Sequence, residues 1–244
     1  MAASGRTARP EVIWARPERA GRGPRPAHTR AEIAAAAVRV ADAEGLDGVS
    51  MRRVAAEIGC GTMSLYNYVP RKDELYELMV DAVVADYDLS REPSGDWRAD
   101  LKALAGQTRA LMHRHPWVPR LMSPVYGFSP NALRYFEYAL WVMEPLDVES
   151  GTKVELLAML NGVITTYVSN ELSTAERARN SPYPPGEEEA VRAAYLMRVL
   201  SEGEYPRMAR TLTSGPGVID LDEVFARAID RILDGFEAES RRGG

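Results

Sequence analysis

Cysteine is all but missing from this 244-residue chain. Cys60 stands alone, which excludes an internal disulfide, and the three histidines have no Cys or His partner at ligand spacing, which leaves no zinc pattern. No metal and no cofactor is expected. Long apolar runs are missing too. The longest stretch of the apolar middle without Asp, Glu, Lys or Arg, Leu156 to Asn170, falls short of the roughly 20 residues that cross a bilayer and is interrupted by Asn161 and Thr165. No apolar h-region follows Arg6, Arg9, Arg16 and Arg19, so neither a membrane span nor a secretory leader is expected, and the cytoplasm is the expected compartment. Despite 19 glycines there is no glycine-rich phosphate loop, no Gly-x-Ser-x-Gly and no His-Glu-x-x-His, so no catalytic residue is assigned. Strand signals are lacking throughout.

What is present is an ordinary globular profile, 45% hydrophobic and 27% charged with a net charge of −5, enough to fill a real core. The charge is unevenly laid out. Residues 1–28 hold six Arg against two Glu, with four prolines spread among them, and by composition form a disordered basic arm that can follow phosphates or a minor groove. From Thr29 to Asp86 six basic residues face ten acidic ones, so net charge alone does not announce a nucleic-acid binder. Only the arm and a local patch can serve.

Helix signals then follow one another. Thr29-Arg30-Ala31-Glu32 has capping-box spacing, and Ile33, Ala37, Val38 and Ala41 recur at helical period before Gly45, which predicts a helix over 30–44. Ser50 caps a short second helix that Gly59 ends, and Thr62 to Tyr68 makes a third before Pro70. A longer helix from about Arg71 carries Leu75, Leu78, Met79, Ala82 and Val83 on one face. Asp96 and Ser129-Pro130 cap further helices, and Thr152 to Glu155 is a second capping box, opening a helix whose apolar middle is expected to lie deeply buried. After the Pro182 to Gly186 loop come helices near 187–201 and 204–212. The last helix carries Leu221, Val224, Phe225, Ala228, Ile229, Ile232, Leu233 and Phe236 as one apolar stripe. The chain is therefore expected to be all-α.

Two short helices joined by a glycine turn, the second polar and compact, have the geometry that lays a helix in the major groove while its predecessor steadies it. Thr62, Met63 and Ser64 lie at the N-terminal end of the third helix, where side chains meet base edges; Tyr66, Tyr68 and Lys72 can reach phosphates, and Arg52 and Arg53 add charge. From pattern alone a structural helical corner stays open, and a helical protein-interaction module without DNA binding is the alternative reading.

The run from Gly45 to Leu75 resembles the DNA-binding signature of TetR-family transcriptional regulators, with Ser50, Arg52, Ala55, Gly59, Ser64, Leu65, Tyr66, Tyr68, Val69, Lys72 and Leu75 on its positions. The stretch beyond residue 86, with His115-Pro116-Trp117 and Asn131-Ala132-Leu133, is similar to the tetracycline-repressor-like branch of regulatory domains. The resemblance implies a helix-turn-helix domain over 29–75 and a larger helical effector-binding and dimerisation domain over 76–244. It also implies a homodimer on a palindromic double-stranded DNA operator, released by a small, largely apolar effector, with Ser50, Met51, Arg52, Thr62, Met63, Ser64, Tyr66, Tyr68 and Lys72 at the DNA. The helices at 152–172 and 221–236 are then the expected dimer interface. Trp117, Met122, Tyr126, Phe136, Trp141, Met159, Asn161 and Tyr167 are candidates to line the effector pocket. His113 and His115 face different sides of a helix and read as capping or surface residues, and Cys60 as turn filler.

Overall fold

The computed structural model describes residues 11–17, 28–122, 128–214 and 220–243, and among these it is built of α-helices and short 3-10 turns with no strand. The helices are α1 (Arg30–Glu44), α2 (Met51–Glu57), α3 (Thr62–Tyr68), α4 (Lys72–Val84), α5 (Trp97–Arg114), α6 (Pro130–Val142), α7 (Ser150–Asn180), α8 (Glu187–Ser201), α9 (Pro206–Ser214) and α10 (Leu221–Gly243). The caps act as their residues dictate. Thr29 Oγ1 accepts from the Glu32 N–H at 3.1 Å while Glu32 Oε2 accepts from the Thr29 N–H at 2.8 Å. Ser50 accepts from the Arg53 N–H, Asp96 from those of Arg98 and Ala99, and Ser129 from that of Ala132. Gly59, at φ 72°, takes the left-handed conformation that ends α2 and turns the chain into α3.

Helices α1, α2 and α3 form a small head around Ile33, Ala37, Val54, Leu65 and Val69, all buried. Helix α4 packs on α1 at one side and on α6 at the other, with Leu75, Leu78, Met79 and Val83 buried. The boundary expected between residues 75 and 76 thus falls inside one continuous helix that belongs to both parts. Behind it α7 packs on α5 and α10, and the buried residues of head and body join in a single cluster.

Four expectations are corrected here. First, residues 11–17 are not a loose arm: Ile13 is wholly buried, in a 3-10 turn Ile13–Ala15, and Trp14 packs against the core. An apolar Val-Ile-Trp triplet inside a proline- and arginine-rich stretch gains more by burial than composition over 28 residues suggests. Second, α7 starts at Ser150 rather than at a Thr152 cap, because nothing in the preceding residues breaks the helix and the Glu149 carbonyl already accepts from the Lys153 N–H. Third, the middle of α7 is buried on one side only: Leu156, Leu157, Leu160, Ile164 and Val168 face the core, whereas Ala158, Met159, Gly162 and Thr166 are exposed. Fourth, His115 is a buried junction residue. Its Nδ1 stands 2.8 Å from Asp42 Oδ1, which also accepts from Trp117 Nε1 at 2.7 Å.

The Asp42 contact ties α1 to the turn after α5. A second tie joins α4 to α6: the Asp81 carboxylate accepts from the Asn131 backbone N–H at 2.7 Å and from its Nδ2 at 2.9 Å. Replacing Asp42 by Ala leaves two buried donors without an acceptor and is expected to cost about 1–3 kcal/mol in urea unfolding. An unchanged midpoint and slope would contradict the junction described.

Candidate nucleic-acid interface and ligand site

The outward side of the head is made by α3 and the starts of α2 and α4. Helix α3 is seven residues long and carries no charge; Leu65 points wholly inward and Met63 outward at 77% exposure. Tyr66 and Asn67 are exposed, and Thr62, Ser64 and Tyr68 are half-buried with their polar ends on the same short helix. At the rim stand Ser50, Arg52, Arg71 and Lys72, all exposed. Small hydroxyls and one flexible thioether in the middle, with cations at the edge, suit base edges flanked by phosphates.

Two side chains depart from the expected arrangement. Met51 is buried, one turn before Val54 and Ala55 on the inner face of α2, so it supports the head and its side chain does not line the surface. Arg53 is consumed internally, with Nε 2.8 Å from Glu44 and Nη1 3.0 Å from Glu57. The Glu44 hydrogen bond, then that of Glu57, raises its already high pKa, so its charge serves the packing of α2 on α1. Arg52 keeps the outward position.

Among the described residues, the expected ligand residues stand in different settings. Trp117 is taken by the Asp42 junction; Met122, Trp141 and Met159 are exposed; and Tyr126 lies outside the described residues. Phe136, Asn161 and Tyr167 are half-buried, Tyr167 with its ring edge-to-face against Phe225. What the interior holds instead is a hydroxyl chain. Tyr87 Oη donates to Thr108 Oγ1 at 2.9 Å and Thr108 donates to the Leu104 carbonyl, while Thr108 and then Asn161 act to lower the pKa of the Tyr135 phenol against the larger effect of its burial. The Tyr87 and Tyr135 rings lie 4.8 Å apart. Burial pushes both phenols above their ordinary pKa, so they stay neutral. Of this chain only Asn161 was singled out from the sequence. The available signal for Thr108 was a hydroxyl set in the apolar stripe of α5, between Leu104, Ala105 and Leu111.

An open groove also runs between the end of α7 and the start of α8, past Arg177, Ser181, Tyr183, Glu188 and Arg192. It is solvent-exposed, Arg192 is paired with Glu188, and it lies away from the hydroxyl chain, so a largely apolar ligand has less to gain there.

Comparison with known proteins finds relatives along nearly the whole chain. Residues 33–79 match the family described as bacterial regulatory proteins, tetR family, and residues 89–240 match the tetracyclin repressor-like C-terminal domain. The HTH-type transcriptional repressor DrrR1 of Streptomyces coeruleorubidus is 40% identical over 241 residues, covering 96% of this chain and 87% of that protein. An HTH-type transcriptional regulator of Saccharopolyspora erythraea is 29% identical over 230 residues, 94% of this chain and 92% of its own. Among solved structures, ActR of Streptomyces coelicolor in complex with actinorhodin has a TM-score of 0.73 at 24% identity, covering 87% of this chain and 97% of that one, a likeness of fold.

Proposed function

The chain belongs to the TetR family of bacterial transcription regulators, and from that premise we propose that it is a homodimeric repressor that reads a palindromic operator and lets go when a small, largely apolar effector binds. The observation that carries the reading is the uncharged outer face of α3 rimmed by Arg52, Arg71 and Lys72, held rigidly on a body with polar groups buried in its interior. The family match over residues 33–79 supports this reading over the alternative, a helical protein-interaction module without DNA binding.

A second copy of the chain has a place to sit. The outer face of α7 between Leu156 and Asn170 bears no charge although Ala158, Met159, Gly162 and Thr166 are exposed, and α8 and α9 pack on each other while exposing Val191, Tyr195, Met208 and Leu212. The stripe of α10 divides: Phe225, Ile229, Leu233 and Phe236 fill the chain's own core, leaving Leu221 exposed and Val224, Ala228 and Ile232 partly so. In the proposed dimer α7 therefore supplies more of the interface than α10. Two α3 helices related by its two-fold axis would meet half-sites about 34 Å apart.

The effector site is assigned to the hydroxyl chain Tyr87–Thr108–Tyr135–Asn161, with Phe136 beside it, where apolar walls and a few fixed hydroxyls orient a flat ligand. The signal leaves through α6 to α4 by way of Asn131 and Asp81. A 100-fold loss of operator affinity needs about 2.7 kcal/mol of coupling, which the ligand supplies only by preferring the conformation that does not fit DNA.

Three outcomes are expected. On operator duplexes selected from a random pool, Lys72→Ala weakens all sequences alike and flattens the salt dependence, whereas Ser64→Ala changes which bases are preferred; gel shifts in the reverse order would contradict these roles. In sedimentation the protein runs as a dimer, and Ala158→Glu gives a folded monomer with at least 100-fold weaker operator binding. A monomeric wild type, or an Ala158→Glu dimer, speaks against the α7 interface. In a thermal-shift screen of flat hydrophobic compounds that includes actinorhodin, a binder at 100 times its dissociation constant adds about 2.7 kcal/mol. That gain is lost in Thr108→Val and Tyr135→Phe, and a gain that survives both moves the site elsewhere.

A further inference from the structure

The segment 11–17 does more than fill a gap at the edge of the head. Arg30, on α1, donates through Nη1 to the carbonyls of Ile13 at 2.8 Å and Arg16 at 2.7 Å, fixing the strap's backbone to the head. The strap then sends Arg16 into a contact that leads towards the DNA face. Arg16 Nη2 donates to Glu74 Oε1 at 2.8 Å, and the same oxygen lies 3.2 Å from Arg71 Nη2. Glu74 is 1% exposed, and its Oε2 has no hydrogen-bond partner among the described residues. Arg71, by contrast, is 63% exposed in its side chain and stands immediately before Lys72, at the N-cap position of α4, with no side-chain capping bond. One buried carboxylate is thus shared by two guanidinium groups, one held in the strap and one facing outward.

We infer that Arg71 is a phosphate-gripping residue of the head and that Arg16 is its positioning residue, holding Glu74 so that Arg71 can leave it for the operator backbone. The inference rests on the operator-binding reading above. A buried carboxylate with a single counter-charge releases that charge only at a large cost, because the ion left behind is unpaired in a poorly solvated place. With Arg16 on Glu74 the charge is met whether or not Arg71 stays, so Arg71 swings to a phosphate at little cost. Without Arg16, Arg71 becomes the counter-ion that Glu74 requires. The three charged groups then change from a net single positive charge at the rim to none, and a phosphate contact disappears although the removed residue never touched DNA.

The balance of forces at Glu74 agrees. Burial acts to raise its pKa, yet the hydrogen bond and charge of Arg16, with the charge of Arg71, bring it below the ordinary glutamate value. Arg16 is the stronger partner by distance and by its own burial in the strap.

The test is fluorescence anisotropy of the full-length protein on a random-sequence duplex and on a selected operator, each across a salt series. Arg71→Gln is expected to weaken binding several-fold on both and to lower the log–log salt slope by about 0.9 per head. Arg16→Gln is expected to do the same. The double variant Arg16→Gln with Glu74→Gln restores affinity to within about twofold of wild type, because a neutral amide no longer claims Arg71. Arg16→Gln added to Arg71→Gln weakens binding no further, a comparison that leaves Glu74 intact should its substitution unsettle the fold. Wild-type binding with no rescue, or with additive losses from Arg16 and Arg71, overturns the inference and leaves the operator-binding reading standing. No binding by the wild type at low salt overturns both.

Discussion

A seven-residue helix has no stability of its own in water, since nucleating it costs more than so few hydrogen bonds return. Everything that α3 is placed to do follows from this constraint. Only Leu65 within it and Val69 just after it are buried, so its position is borrowed from the core those side chains join and from α2, which packs on it. Helix α4 is in turn shared with α6, and α1 is tied through Asp42 to the turn that follows α5. The outer face of α3 therefore has no orientation independent of the body behind it, and in the proposed repressor that dependence is what would let an event in the body be felt at the groove.

The magnitudes are compatible with such a device. Among the described residues the ties between head and body include Asp42 to His115 and Trp117, Asp81 to Asn131, and the more exposed pairs of Arg120 with Asp47 and Arg114 with Asp86. Each hydrogen-bonded tie involving a charged group is worth about 1.5–3 kcal/mol, while a 100-fold change in operator affinity corresponds to about 2.7 kcal/mol. Rearranging one or two of these contacts would be enough, and a ligand at the proposed effector site that disturbed α6 would lie next to one of them. The exposed Arg120–Asp47 pair contributes little on this scale because solvent screens it.

Much of this was legible in the sequence, and the reason is local. Thr29, Ser50, Asp96 and Ser129 are N-caps whose side chains bond within their own first turn, so the helix starts could be read from a few residues. The outward set on α3 followed from the same short-range pattern joined to a family resemblance. What escaped was decided by partners far along the chain. Ile13 is buried by helices that begin beyond residue 29, His115 and Trp117 take their roles from Asp42 more than 70 positions away, and the hydroxyl chain is assembled from Tyr87, Thr108, Tyr135 and Asn161. A chemically suggestive set such as Trp141 and Met159 proved to lie outward, because aromatic and thioether side chains mark a buried face no better than an interface.

Hydroxyl-radical footprinting of the full-length protein on its selected operator addresses directly whether paired α3 helices are what the protein presents to DNA. Two protected segments centred about 34 Å apart on one face of the duplex, related by a dyad and both erased by substitutions at Ser64 and Lys72, are the predicted result. One protected segment, or protection that persists when those side chains are removed, would contradict it.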